Sequence, residues 1–257
     1  MGAFSCPALE RCLELHPDAA TTALIHARLA QADGLDALLP LYDQLIPVLE
    51  TALWDSALDP ARLDLYHALC TEMEGHIAAA GNDTRHKLVV VVPVADRPQQ
   101  LRSCLLSLAG AARAIRYGAG GAQSTRKIMA VIADDSRAAA SMAENQAIAA
   151  EISQSGIETR YFSQQEQLAE LDSLDDNDRE ALRNIIGRAA PDAFSHKGAS
   201  IMRNITSLML NRMAQQDERL LFLFVDSDEV FHADTLAGRE RFTTNYFYHI
   251  DRIFRQS

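Results

Sequence analysis

No stretch of this chain approaches the roughly 20 consecutive apolar residues that span a bilayer, and the N-terminus lacks a basic region followed by an apolar core. Export is therefore not expected, and peripheral attachment to a membrane stays open. Cysteine is sparse. Cys6, Cys12, Cys70 and Cys104 are scattered, with no Cys-x-x-Cys pair and no His at ligand spacing. Such a set signals neither a zinc site nor a disulfide framework and fits reduced thiols in a cytoplasmic protein. Positive charge is also short, 24 Lys and Arg against 35 Asp and Glu, for a formal net charge of -11. Nucleic acid and anionic membranes need a basic footprint and are set aside as main partners. A metal-assisted phosphate site stays compatible, because the ion brings the missing positive charge.

What is present is an ordinary globular composition. At 257 residues, 48% hydrophobic and 23% charged, the chain can form one large domain or two smaller ones. From Pro7 to Gly81 apolar residues recur at three- and four-residue steps: Leu24, Ile25, Leu29, then Leu38, Leu39, Tyr42, Leu45, Ile46, Leu49, then Leu63, Tyr66, Leu69, Met73, Ile77. That spacing predicts consecutive amphipathic helices, broken at Gly34, at Asp59-Pro60 and at Gly81. No solenoid repeat period emerges. His16, His26, His67 and His76 lie here without a matched acid or ligand partner and read as surface or packing residues.

Gly81-Asn82-Asp83-Thr84 reads as a linker, which sets the expected domains at 1–84, all-helical, and 85–257, α/β. Leu88 to Val94 is a β-branched strand run with Pro93 at its end, where no ladder hydrogen bond is needed, and Pro98 opens a helix carrying Leu101, Cys104, Leu105 and Leu108. Gly118-Ala119-Gly120-Gly121 is a loop without the spacing or the Lys of a phosphate-cradling P-loop. A second apolar run, Ile128 to Ala133, stops on Asp134-Asp135-Ser136; an Ala-rich helix follows to about Ser155, and Ile157 to Phe162 is a candidate third strand. Ser163 to Ala190 reads as a polar, acidic, helical insert that could cover a site or mediate assembly. A further helix follows Phe194-Ser195-His196-Lys197-Gly198 through Ile201, Ile205, Leu208, Met209 and Met213.

That helix delivers the chain to Leu220-Leu221-Phe222-Leu223-Phe224-Val225, six apolar residues that stop on Asp226-Ser227-Asp228. Such a run reads as a strand buried on both faces in the middle of a parallel sheet. If it continues through the acidic pair, the two-residue period aims both carboxylates at one side, where they suit a hard divalent cation. Asp176-Asn177-Asp178 has the same spacing but lies in a polar helical stretch and reads as a solvated face. Strands alternating with helices predict a Rossmann-like, mostly parallel sheet flanked by helices, with Asp134, Asp135, Asp226 and Asp228 converging on one rim.

In order, Val92-Pro93-Val94, Leu101-x-x-Cys104-Leu105-x-Ser107-Leu108, Val131 to Ser136, Lys197-Gly198-Ala199 through Arg203-Asn204, and Val225 to Asp228 resemble the family 2 glycosyltransferases of the A-type fold. The likeness covers roughly 87–231 and leaves out the helical N-terminus. It implies a nucleotide-diphospho-sugar donor, a UDP- or GDP-sugar, bound in a pocket lined by Pro93, Ala95, Asp96 and Arg97. Asp134 or Asp135 would accept from the base or ribose, and Lys197, Arg203 and Asn204 would lie near the diphosphate. Asp226 would face the ribose or the metal, and Asp228 would hold Mn²⁺ or Mg²⁺. The acceptor is not indicated, and a homo-oligomer is compatible. Two departures stand out: the acidic insert, and the little chain that follows Asp228, where the family places its acceptor half and catalytic base. A chain holding only the donor half would explain the second; Asp251 and His249 are the late base candidates.

Three other readings compete. A noncatalytic nucleotide-sugar-binding or scaffold module would use the helical domain for a partner. A haloacid dehalogenase-type phosphatase also uses Asp-x-Asp after a strand, but on its first strand. A sugar-phosphate nucleotidyltransferase wants a Gly-rich loop where this chain has Ala95-Asp96-Arg97-Pro98.

Overall fold

The computed structural model describes residues 4–15, 18–81, 83–118, 125–187, 194–231, 234–236, 239–241 and 244–255. Of the positions singled out above, His16, Asn82, Ala119, Gly120, Gly121 and 188–190 lie outside these. The chain forms two compact units, one of Met1–Thr84, Arg113–Ala119 and His232–Ser257, the other of Arg85–Ala112 and Gly120–Phe231. The break after Thr84 coincides with the expected linker. The C-terminal segment does not follow the expected 85–257 division, because it joins the helical unit.

The helical unit begins with α1 (Pro7–Glu14), α2 (Ala19–Gln31), α3 (Leu35–Asp55) and α4 (Pro60–Ala80). Local chemistry sets their ends. The Asp18 carboxylate accepts from the Ala20 and Thr21 N–H groups, and Asp59 accepts from Arg62 N–H with Pro60 behind it. Gly81, at φ +72°, closes α4 in the left-handed conformation that glycine adopts without a Cβ penalty. α3 continues through Pro40 and Pro47. Each proline removes a ladder hydrogen bond, so the buried stripe Leu38, Leu41, Tyr42, Leu45, Ile46 and Leu49 is what keeps the helix together. On α2 only Ile25 is buried; Leu24, expected inside, is exposed.

The second unit runs β1 (Lys87–Val94), α5 (Pro98–Ile115, as far as Ala112), β2 (Ile128–Asp134), α6 (Ala139–Gln154), β3 (Glu158–Phe162), α7 (Gln164–Asp172), α8 (Asp176–Ile186), α9 (Ala199–Gln216) and β4 (Leu220–Phe224). The four strands are all parallel in the order β3-β2-β1-β4, with Val90 opposite Ala130 on one side and Leu223 on the other. This is a Rossmann-like α/β arrangement. Val89, Val91, Met129, Val131 and Ala133 pack on Met202, Ile205, Met209 and Leu210 of α9, with Leu171 and Ile186 from α7 and α8. Val90, Val92, Ala130 and Ile132, of the other parity, are equally buried. Covering both faces is what an uninterrupted apolar strand requires.

Two expectations change here. β4 is not interior: among the described residues it pairs with β1 alone and is only half-buried, since an edge strand has one neighbour. The acidic insert, expected to cover a site or mediate assembly, also contributes to the core. α7 and α8 contribute Leu171 and Ile186 to the core, and the fully buried Gln167 donates from Nε2 to the carbonyls of Asp134 at 2.8 Å and Phe162 at 2.9 Å. That side chain clamps the ends of β2 and β3.

After the second unit come the antiparallel hairpin β5 (Asp234–Leu236) and β6 (Arg239–Arg241), then α10 (Tyr246–Arg255). α10 explains why the C-terminal segment belongs with the helices. Tyr248 is part of the core formed by α1 to α4, its hydroxyl donates to Asp43, and Asn245 N–H donates to Tyr66 Oη at 2.6 Å. No helix among the described residues is long and apolar enough to cross a membrane.

Candidate functional site

From β1 the sheet grows through β2 to β3 on one side, and β4 is added on the other. Loops leaving the carboxyl ends of such a strand pair diverge and open a crevice. A cavity of about 440 Å³ lies there. β1 and the loop after it contribute Pro93, Val94, Ala95 and Arg97, and the segment after β2 contributes Asp135. Asp226, Ser227 and Asp228 come from the turn after β4; His196, Gly198, Ala199, Met202 and Arg203 come from the approach to α9 and its first turns.

The acidic pair reaches the cavity by a route the strand period does not describe. β4 ends at Phe224, Val225 N–H still donates to Val91 O at 2.9 Å, and the chain then turns, with Glu229 N–H donating to Asp226 O at 3.0 Å. A turn, not the pleat, therefore presents both carboxylates. They are 61% and 59% exposed, Asp226 lying 2.8 Å from Arg203 Nη2 and Asp228 4.0 Å from Arg97 Nη1. Exposed pairs of this kind are worth about 0–1 kcal/mol, so an arriving ligand can exchange the partners at little cost. Beneath the turn, Cys104 Sγ lies 3.9 Å from Asp226 O. Burial, reinforced by Glu229 and Asp228, pushes this thiol up to about 12, so it stays protonated at neutral pH.

The two carboxylates after β2 separate completely. Asp134 is fully buried and does not line the cavity. It accepts from Ser136 N–H at 2.7 Å, Asn145 Nδ2 at 3.0 Å and Tyr161 Oη at 2.6 Å, which fixes the β2 terminus. Tyr161 titrates above the ordinary phenol, first through burial and then through this hydrogen bond. Asp135 does line the cavity, but its Oδ1 holds Lys197 Nζ at 2.5 Å, with the two side chains 7% and 6% exposed. Asp135 Oδ2 accepts from Gly198 N–H at 3.3 Å, and Lys197 also donates to Phe194 O at 2.9 Å and sits 4.1 Å from that ring's centroid. Lys197 is thus a buried anchor for the segment leading into α9; it is not among the residues lining the cavity.

The other expected residues fall as follows. Asn204 does not line the cavity; its Nδ2 donates to Ile185 O at 2.8 Å and ties α9 to α8. Asp251 and His249 lie on α10 in the helical unit, Asp251 holding Arg255 Nε at 2.6 Å and His249 Nε2 lying 2.6 Å from Glu50 Oε1. Asp96 is not among the residues lining the cavity. Its carboxylate accepts from Ala138 N–H at 3.0 Å and pairs with His196 Nε2 at 2.6 Å. The His196 hydrogen bond above all holds the Asp96 carboxyl at about 2, well below the usual carboxylate range. Both residues have φ of +54°, an uncommon conformation for non-glycine residues that clusters at functional sites. The sequence offered no signal for this pair, since its members are 100 positions apart.

Gly198, at φ +92°, begins α9 at the cavity. The first N–H groups of a helix have no intrahelical acceptor and favour anions. Opposite them, Asp226 and Asp228 offer only oxygen, a donor set that fits Mg²⁺ or Mn²⁺ with water and phosphate completing the shell. The cavity thus sets two exposed carboxylates and the start of a helix against the same space. Set against known proteins, the chain matches no family model, no curated protein and no solved structure, so the likeness to family 2 glycosyltransferases rests on the motifs alone.

Proposed function

We propose that the protein is a metal-dependent glycosyltransferase, moving a sugar from a UDP- or GDP-sugar to an acceptor. One observation carries this reading: the acidic turn after β4, the loop after β1 and the start of α9 face a single crevice between β1 and β4. A nucleoside diphosphate needs those three things, namely a cation ligand pair, a wall for the nucleoside, and donors for phosphate.

In this reading Asp226 and Asp228 hold Mn²⁺ or Mg²⁺. Held there, it would supply the positive charge that offsets a departing nucleoside diphosphate. Arg203 and Arg97, released from the carboxylates, turn to the diphosphate together with the α9 N-terminus. Asp135, kept in place by Lys197, accepts from the base or ribose. His196 is the candidate base in the cavity lining: with Nε2–H given to Asp96, the Nδ1 lone pair is left to accept the proton of an acceptor hydroxyl.

Calorimetric titration with UDP and GDP, in Mn²⁺ and in EDTA, tests the reading. Wild-type protein binds one of them more tightly with metal, and Asp228→Ala abolishes that increment while leaving the EDTA affinity unchanged. Equal weakening in EDTA, or no nucleotide binding, refutes it. Because the late base candidates Asp251 and His249 are engaged by Arg255 and Glu50 within the helical unit, a second outcome has structural support. Metal-dependent binding with no hydrolysis or transfer of the sugar assigns the protein as a nucleotide-sugar-binding module.

A further inference from the structure

Far along the sequence from the acidic turn, the residue that caps α1 and two residues of α4 bring together three side chains of kinds that can ligate a metal. Cys6, Glu72 and His76 each present a ligand atom within 4.8 Å of the others. Cys6 Sγ and His76 Nε2 are 3.5 Å apart. Zinc bonds of about 2.3 Å to sulfur and about 2.05 Å to nitrogen, meeting at a tetrahedral angle, place those two ligands at about that separation. A thiol–imidazole hydrogen bond has the same length, so the third residue decides between the two.

Glu72 is arranged as metal carboxylates are. Its Oε1 accepts from Leu9 N–H at 3.1 Å and from Tyr42 Oη at 2.9 Å, which uses both lone pairs. Its Oε2 accepts only from Ala8 N–H at 2.7 Å, leaving one lone pair among the described contacts. The His76 ring is held edge-on by Phe4, centroids 5.3 Å apart, and lies 6.2 Å from Tyr42. Oriented ligands with hydrogen-bonded carboxylates are what outer-shell partners supply in zinc sites.

We infer that Cys6, Glu72 and His76 form a three-residue site for a zinc-class divalent cation, with the fourth position left to water or an exogenous ligand. One thiolate, one imidazole and one carboxylate make a softer set than the oxygen-only turn at Asp226, so the two sites select different metals. On binding, the metal–sulfur bond forms as the Cys6 thiol proton leaves to solvent; the Glu72 contacts to α1 are kept. The site would cross-link the start of α1 to α4.

Titration of metal-free protein with Co²⁺ alone, followed by Zn²⁺, tests this. The expected result is one equivalent of Co²⁺ giving a thiolate charge-transfer band in the near ultraviolet, which stoichiometric Zn²⁺ removes. Cys6→Ser and His76→Ala lose the band, and their Zn²⁺ affinity drops by more than the roughly 10–100-fold expected for an outer-shell change such as Tyr42→Phe. Cys12→Ser and Asp228→Ala keep the band. Absence of the band from wild type, or its survival in Cys6→Ser, overturns the site; thermal unfolding with and without Zn²⁺ must agree, rising in wild type and Tyr42→Phe but not in His76→Ala. Since only a thiolate gives the band, the band outcomes are independent of whether the acidic turn binds metal, and the unfolding comparison is made independent of it by carrying Asp228→Ala in every protein compared.

Discussion

Replacing Lys197 by Ala removes the cation from a pair that is almost wholly enclosed. Asp135 Oδ1 lies 2.5 Å from Lys197 Nζ, both side chains under a tenth exposed, and without the ammonium its charge keeps only Gly198 N–H among the described side-chain contacts. Breaking a buried pair from one side costs about 3–5 kcal/mol, whereas exposed pairs such as Arg203–Asp226 are worth about 0–1 kcal/mol. Fluorescence will not report this, because the single tryptophan, Trp54, lies on α3 in the helical unit. Hydrogen exchange followed by mass spectrometry on β1 and β2 peptides will. At 1.4 kcal/mol per factor of ten, the most protected amides of Lys197→Ala should exchange roughly a hundred- to several-thousand-fold faster than wild type. Arg203→Ala should change them less than tenfold. The double replacement Lys197→Met with Asp135→Leu should recover most of the loss, since an apolar pair of similar volume has no charge left to desolvate. An acceleration below tenfold in Lys197→Ala would refute the buried-anchor assignment.

Tyr66→Phe leaves Asn245 N–H and Glu50 Oε1 without the hydroxyl that lies 2.6 Å from each; urea unfolding read by Trp54 fluorescence should show a loss of about 1–3 kcal/mol, and an unchanged midpoint would exclude the network. Asp96 has a folded pKa of about 2, below the ordinary value near about 3.9, so its charged form stabilises the fold. The stability advantage of wild type over Asp96→Asn should therefore be full above about pH 4 and decline as pH falls through about 2; an advantage that does not change over that window refutes the His196 pairing. Gly198→Ala meets no atom within 4 Å of the added Cβ, so its effect isolates the backbone at φ +92°; a loss of about 1–3 kcal/mol, with weaker nucleotide binding, is expected, and wild-type values for both would show that the position is not strained.

The sequence determined much of the architecture by itself, because burial periodicity and end chemistry are local. Leu88 to Val94 and Ile128 to Ala133 are continuous apolar runs and became the two fully covered strands β1 and β2. Asp59-Pro60 and Gly81 bound α4 as their cap chemistry requires. The same locality misplaced α10, whose aromatic stripe is legible as packing but carries no indication of which core it enters; Tyr248 decides that by joining α1 to α4.

The site was legible only as types of residue. Asp226, Asp228, Arg97, Arg203 and Asp135 were nameable from motifs, and they do line one cavity. Which carboxylate faces it was not, because Asp134 and Asp135 are adjacent and only the surroundings separate them: Tyr161 and Asn145 enclose one, Lys197 the other. His196 with Asp96, and Cys6 with Glu72 and His76, are juxtapositions across 100 and 70 positions. Chain composition and period fix which segments become strands and helices, since those depend on neighbours a few residues away. Side-chain partnerships over such distances follow from strand order and helix packing, so only the tertiary structure could decide them.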